Sequence, residues 1–334
     1  MGKQQPEPDR VDDLARRLQR EERIRDLERE LQALDVPSLS AAEQESWWHL
    51  FGIAAFQEGR DAQALGRFGE AHRRFPQSAK IRFSLAQQHV RARDVEKAFQ
   101  LFRTCRFPEI SREYALAQAR YAYLWGRYAD GLEFLKPFFE GYRKLKILDD
   151  HFLYVRGLPF FGQWWSYLAS LSILSGEMNE LERVTKYAAK NCYDYDFGRL
   201  QLELLAYRED TPDVLIESLE SQLGELKGGP LPSGYTAMNL AVARSRIAPG
   251  FDAAEQILDA VALTERDFGW LEDIRTLAKA LAARRFDRPA LEQERIAVFR
   301  AQRPMLFEPD IALNFHLLRY QEHLKPWYRG DADR

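Results

Sequence analysis

The chain has 334 residues, 46% of them hydrophobic and 13% aromatic, with a formal net charge of -3. That composition supplies a core several helices thick and excludes a collagenous or disordered chain, while the near-neutral total argues against DNA as a ligand. Cys105 and Cys192 are too few for a disulfide framework, no apolar run reaches the roughly 20 residues of a membrane span, and the polar amino end MGKQQPEPDRVDD has no signal-peptide stretch, so a reducing, cytoplasmic location is expected.

Residues 1–9 read as a disordered tail. Residues 10–39 form an amino-terminal charged amphipathic segment, with one helix expected over 10–34 from the stripe Val11, Leu14, Leu18, Ile24, Leu27, Leu31 and Leu34. Fourteen of the 21 residues from Arg10 to Glu30 are charged, seven of each sign, which disfavours a nucleic-acid tail. The stripe slips by one residue between Leu18 and Ile24, so a long coiled coil is not expected. Two readings stay open: the helix packs as a cap on the next helical pair, or it presents its stripe to a partner or to its own copy. Asp35-Val36-Pro37-Ser38 breaks it, and Ser40 with Glu43 makes a capping box for the next helix.

Beyond this point alternating β-branched runs are almost absent and apolar residues recur at i, i+3, i+4 and i+7, so the chain is expected to be all-α. The stretch SWWHLFGIAAFQEGRDAQALGRFGEAHRRFP places Trp48, Phe51, Gly52, Ala55, Gly59, Ala64, Phe68, Ala71 and Pro76 in a helix-turn-helix order. Small residues at Gly52, Ala64 and Ala71 let two helices approach, and Pro76 stops the second. Using Gly52, Ala86, Ala119, Ala169, Leu205, Ala241, Ala278 and Ala312 as markers, the intervals are 34, 33, 50, 36, 36, 37 and 34. Helix pairs are therefore predicted to turn near Gly59, Arg93, Gly126, Gly176 and Arg285. This spacing resembles the tetratricopeptide repeat.

The resemblance implies a right-handed α-solenoid of helix-turn-helix repeats. Repeats 1–3 fill 40–138, an inserted aromatic and basic segment 139–160, repeats 4–7 161–304, and a capping helix with tail 305–334. Unit five departs most from the pattern, with Leu205 and Glu217 at small-residue positions. Asp196-Phe197-Gly198 and Asp267-Phe268-Gly269 open two units, each aspartate read as an N-cap for the following helix.

Phosphate-loop, zinc-protease, nucleophile-elbow and C-x-x-C signatures are all missing. No catalytic residue, metal or cofactor is expected: His316 and His323 lack a third ligand, and Cys105 falls at a packing position. In tetratricopeptide proteins the ligand usually lies in a concave groove lined by the first helix of each unit. Carried over by alignment, that groove holds His49, Ile53 and Phe56, then Phe83, Gln87 and Arg91, then Leu116, Arg120 and Tyr123, with Arg246, Arg275 and Lys279 in later units. The carboxylate clamp of chaperone-docking members is absent, since His49, Ile53, Ser84, Glu113 and Ala117 stand at its places. Arg275 and Lys279, an i, i+4 like-charge pair, call for an anion, and Glu272 is one candidate for it.

A cation-lined groove implies a protein or peptide partner with acidic and apolar side chains. A second candidate surface is aromatic. Fifteen of the 42 aromatic residues lie between Tyr121 and Tyr167, and Phe152, Tyr154, Phe160, Phe161 and Trp164 are either a local core for the insert or an exposed anchor. The function these features imply is a non-enzymatic scaffold or adaptor. The alternatives are a peptide-sensing regulatory receptor and a non-catalytic subunit of a larger enzyme complex.

Overall fold

A computed structural model describes residues 10–19, 24–105, 112–144, 161–179, 181–182, 213–226, 234–264, 267, 269–301 and 317–318. Among these residues the regular structure is helical and no strand occurs. The helices are α1 (Arg10–Gln19), α2 (Ile24–Gln32), α3 (Ala41–Gln57), α4 (Asp61–Arg74), α5 (Ala79–Arg91), α6 (Val95–Phe102), α7 (Arg112–Leu124) and α8 (Tyr128–Lys144), followed by α9 (Phe161–Ser175), α10 (Asp213–Leu226), α11 (Gly234–Ser245), α12 (Phe251–Asp259), α13 (Leu271–Arg285) and α14 (Pro289–Ala301). The chain divides into two compact units, residues 1–125 with 133–138 and residues 126–132 with 139–334.

In the first unit, residues 10–34 are not one helix. Arg17 of α1 pairs with Glu30 of α2 at 2.8 and 2.9 Å, closer than 13 residues of one helix allow, and both helices pack on α3 as well as on each other. Val11, Leu14, Leu18, Leu27 and Leu31 are at most 3% exposed and share one core with Trp47, Leu50 and Ala54. The stripe is therefore covered by this chain's own α3, which removes it as a surface for self-association. The indole N–H of Trp47 fastens the cap by donating to the Leu31 carbonyl at the end of α2, at 2.7 Å. The capping box forms as expected: Ser40 N–H donates to the Glu43 carboxylate at 2.8 Å and Glu43 N–H to the Ser40 hydroxyl at 3.4 Å.

Backbone turns carry the period most directly. Gly59, Arg93, Gly126, Gly176 and Asp287 have φ of 70°, 62°, 71°, 79° and 53°. The first four repeat the 34, 33 and 50 steps of the small-residue markers and fall seven residues after Gly52, Ala86, Ala119 and Ala169. The last turn falls at Asp287 rather than Arg285, because α13 runs on through Arg285.

Three of these turns share a hydrogen-bond pattern. Gly59, Arg93 and Asp287 N–H donate to Phe56, Val90 and Arg284 carbonyls at 3.0, 3.0 and 3.2 Å, and Arg60, Asp94 and Arg288 N–H reach back to Ala55, His89 and Ala283 at 2.9, 2.8 and 2.8 Å. Such a closure needs a left-handed residue, which glycine adopts freely and a side-chain-bearing residue only with strain of about 1–2 kcal/mol. Arg93→Gly is therefore expected to stabilise the first unit by about 1 kcal/mol in urea denaturation; an unchanged or lower midpoint would contradict the strain.

Between the turns, small residues sit at helix contacts. Gly52 faces the ring of Phe68, which is fully buried beside Ala55, Ala64 and Leu85, and Ala86, Ala119, Ala169 and Ala278 are at most 1% exposed. Around α5 to α7 the core is aromatic: Phe83 stacks on Tyr114 at 4.2 Å and tilts against Phe102 at 5.5 Å, and Phe102 meets Tyr121 at 5.6 Å. Cys105 is buried there, and the buried amide of Gln118 donates to the Phe102 and Cys105 carbonyls at 3.1 and 2.8 Å, closing the end of α6.

In the second unit Leu215, Ile216 and Leu219 of α10 pack on Leu240 and Ala243 of α11, while Glu217 points outward. Ala248, Phe251 and Ala254 pack on Ala282 and Ala283 of α13. Asp267 does not cap α13, whose N-cap is Trp270 without a side-chain bond. Instead its carboxylate accepts from Gly234 N–H at the start of α11 at 3.0 Å, and from Thr264 N–H and hydroxyl at 2.8 and 2.9 Å. Those bonds, led by the Thr264 amide, hold the Asp267 carboxyl below its usual range against the opposing effect of burial.

Helix α8 extends through Lys144, so residues 139–144 continue a helix assigned from sequence to the insert. Asp196, His316, His323 and most of the expected capping segment lie outside the described residues; Leu317 and Leu318, within that segment, are buried.

Candidate functional site on the first helices

In the first unit, polar side chains join α3 to α5 and α5 to α7 over nearly equal separations along the chain. Lys80 Nζ donates to Ser46 Oγ at 3.3 Å, His49 Nε2 meets Ser84 Oγ at 3.0 Å, and Gln87 Nε2 donates to Tyr121 Oη at 3.2 Å, over separations of 34, 35 and 34 residues. Residues i, i+3, i+4 and i+7 share a helix face, so Ser46, His49, Ile53 and Phe56 form one row on α3, Lys80, Ser84, Gln87 and Arg91 one on α5, and Tyr114 and Tyr121 one on α7. Ser46, Lys80, Ser84 and Tyr121 were not among the groove residues expected from sequence. Their signal was available as complementary polar pairs one period apart.

The part-buried imidazole of His49 sits under this row. Burial pushes its pKa down to about 4, Lys80 adds to the shift and Glu45 opposes it, so the ring is neutral at pH 7. Toward the turn end of the row, the Arg91 guanidinium lies 4.9 Å from the centre of the Phe56 ring, and its Nε stands 3.0 Å from Asp61. The Arg91 and Asp61 side chains are 45% and 48% exposed. Apolar ring, cation and carboxylate thus meet in one accessible place.

Other expected groove residues fall elsewhere. Phe83 and Tyr123 are fully buried and belong to the core: one residue of helix is a rotation of about 100°, enough to turn a side chain from groove to interior. Leu116 is likewise buried, and Arg120 is part-buried on α7.

In the second unit Arg246 is part-buried, and Arg275 and Lys279 expose only 17% and 15% of their side chains. Arg275 donates to the Val261 carbonyl at 2.6 Å with Glu272 at 3.4 Å, and Lys279 pairs with Asp259 at 2.5 Å. This like-charge pair therefore answers the carboxy-terminal end of α12, where cations are favourable, and an external anion is not needed to explain it. Phe152, Tyr154 and Phe160 lie outside the described residues; Phe161 and Trp164 belong to α9, but their side chains are not described.

Comparison of the chain with protein families, with curated proteins and with solved structures finds no match in any of the three.

Proposed function

We propose that the chain is a non-enzymatic helical-repeat scaffold of the tetratricopeptide kind, which holds a protein or peptide segment along the first-helix face of α3, α5 and α7. The observation that carries this reading is the recurrence at 33 to 35 residues, found in the left-handed turns at Gly59, Arg93 and Gly126 and in the side-chain pairs from α3 to α5 and from α5 to α7. Helices stacked in register expose a continuous face longer than any single helix pair, which suits an extended partner. Phe56 and Arg91 give that partner an apolar contact beside a cation. The Arg91–Asp61 pair is exposed and so contributes little to stability, which lets a partner carboxylate take the place of Asp61 at small cost. No helix among the described residues is long and apolar enough to cross a membrane, and a cytoplasmic setting is part of the same proposal.

The test is site-specific photo-crosslinking. A crosslinkable residue in place of Phe56 or Gln87 is expected to trap the same protein in cells, whereas one in place of Arg73, exposed on α4, does not trap it. Phe56→Ala and Arg91→Glu should each weaken the purified interaction at least tenfold, Arg91→Glu without altering the helical melting curve and Phe56→Ala, whose ring also packs beside Phe68, with a lowered but still cooperative one. Trapping of one species at all three positions, or unchanged affinity in both variants, rejects the reading.

A further inference from the structure

Away from that face, α2 and α4 flank an open cavity of about 450 Å3 lined by Arg25, Glu28, Arg29, Gln32, Glu58, Arg60, Gln63 and Arg67. Four guanidiniums face two carboxylates. Both acids are already used: Glu28 bridges Arg60 and Arg67, the second at 2.5 Å, and Glu58 bridges Arg25 at 3.1 Å and Arg60 at 3.2 Å. Burial would raise the Glu28 carboxyl, but hydrogen bonds from Arg60 and Arg67 outweigh it and keep the group ionised.

Arg60 and Arg67 are committed in turn. Arg60 also donates to the Gln63 side-chain Oε1 at 2.6 Å, and Arg67 to the Phe51 backbone carbonyl at 2.8 Å while lying over the Phe51 ring at 3.5 Å. The remaining donors sit on the rim. Among the described residues Arg25 engages only its Nε, and Arg29 one terminal nitrogen, on Asp26 at 3.1 Å; their side chains are 81% and 76% exposed.

We infer that this cavity is a binding site for a phosphate monoester. Arg25 and Arg29 are four apart on α2, so their guanidiniums project from the same side, and each keeps at least two N–H groups for a bidentate grip on phosphate oxygens. The side-chain amides of Gln32 and Gln63 add uncharged donors from either wall. The lining carries two positive charges beyond its own carboxylates, Arg29 sharing its charge with Asp26 at the rim; a monoester of about -1.5 to -2 charge can displace Asp26 and engage both forks, whereas a carboxylate is satisfied by one. The volume exceeds that of a bare phosphate and so admits the group that bears it, either a phosphorylated side chain of a protein or a small phosphorylated metabolite. This site shares no residue with the first-helix face and stands independently of the scaffold reading.

Isothermal titration of the full chain at low ionic strength tests it, using inorganic phosphate, a phosphoserine peptide, the same peptide unphosphorylated, and acetate. Phosphate and phosphopeptide are expected to saturate a single site, and the other two to bind at least tenfold more weakly. Arg25→Gln with Arg29→Gln should lower phosphopeptide affinity at least tenfold at an unchanged melting temperature, since both side chains are exposed. Tighter binding of the phosphopeptide than of phosphate assigns a protein source; equal binding assigns a small phosphorylated molecule. No saturable binding of either phosphate, acetate binding as tightly as phosphate, or a double variant that binds like the wild type overturns the inference.

Discussion

Gly52→Ala is expected to destabilise the amino-terminal unit by about 1 kcal/mol net, although alanine is the better helix former by about 1 kcal/mol. A β-carbon on Gly52 would stand 2.5 Å from Phe68 Cε1 and 2.7 Å from Cδ1 and Cζ. Phe68 has no exposed surface, and Ala55, Ala64 and Leu85 close around it, so its ring has nowhere to retreat. Overpacking of this kind costs about 1–3 kcal/mol, and the loss exceeds the gain in propensity. The paired control is Gly66→Ala on α4. Nothing lies within 4 Å of a β-carbon there and the residue is exposed, so the same substitution should stabilise by up to about 1 kcal/mol. Opposite signs in chemical denaturation support the close approach of α3 to α4; two stabilising substitutions would show that Gly52 is not at a helix contact.

A second large effect is expected on acidification. Folding holds His49 neutral down to about pH 4, whereas the unfolded chain protonates histidine near pH 6.5. Between those values the unfolded state binds more protons, so stability rises with pH. The contribution of His49 is thus complete above about pH 6.5, falls as the pH drops from there toward 4, and is flat below. Between pH 7 and pH 5 the loss from this one group is about 2 kcal/mol. His72 and His89 are also pushed down by burial and add to the wild-type slope, so the informative quantity is the difference from His49→Gln, which keeps both. Unfolding free energies of wild type and variant from urea denaturation should shift relative to one another by that amount, at the wild type's expense, on moving from pH 7 to pH 5. Parallel pH profiles would mean that His49 is solvated in the folded protein.

Charge reversal at Arg275 and Lys279 is expected to destabilise the second unit. Both side chains are largely buried against the end of α12 and the loop after it. Glutamate at either position would face Asp259 or the Val261 carbonyl, so the variant is expected to unfold more readily as well as to lose positive charge. It cannot serve as a clean probe of binding, and Arg91, exposed on α5, is the better one.

Helical class, the first four turn positions and the capping box were legible in the sequence because each rests on residues within one helix pair. A small residue seven positions before a left-handed turn, an oxygen-bearing side chain three residues ahead of a glutamate, and apolar residues at the helical period act over one or two turns of chain. The break between α1 and α2 left only a one-residue slip, since a continuous helix and a bent pair bury the same leucines.

What the tertiary structure decided was the partner of each polar group and the exact face of each large one. Glu28 with Arg60 and Arg67, Lys279 with Asp259, and Asp267 with Gly234 are separated by 20 to 39 residues, and nothing local selects one carboxylate over another. Phe83 and Tyr123 lie in the core and not on the face expected from sequence, because about 100° of helix rotation separates adjacent positions, finer than spacing along the chain can set. Spacing along the chain reports which residues share a helix; only packing of one helix on the next reports whether a charge meets solvent or another charge.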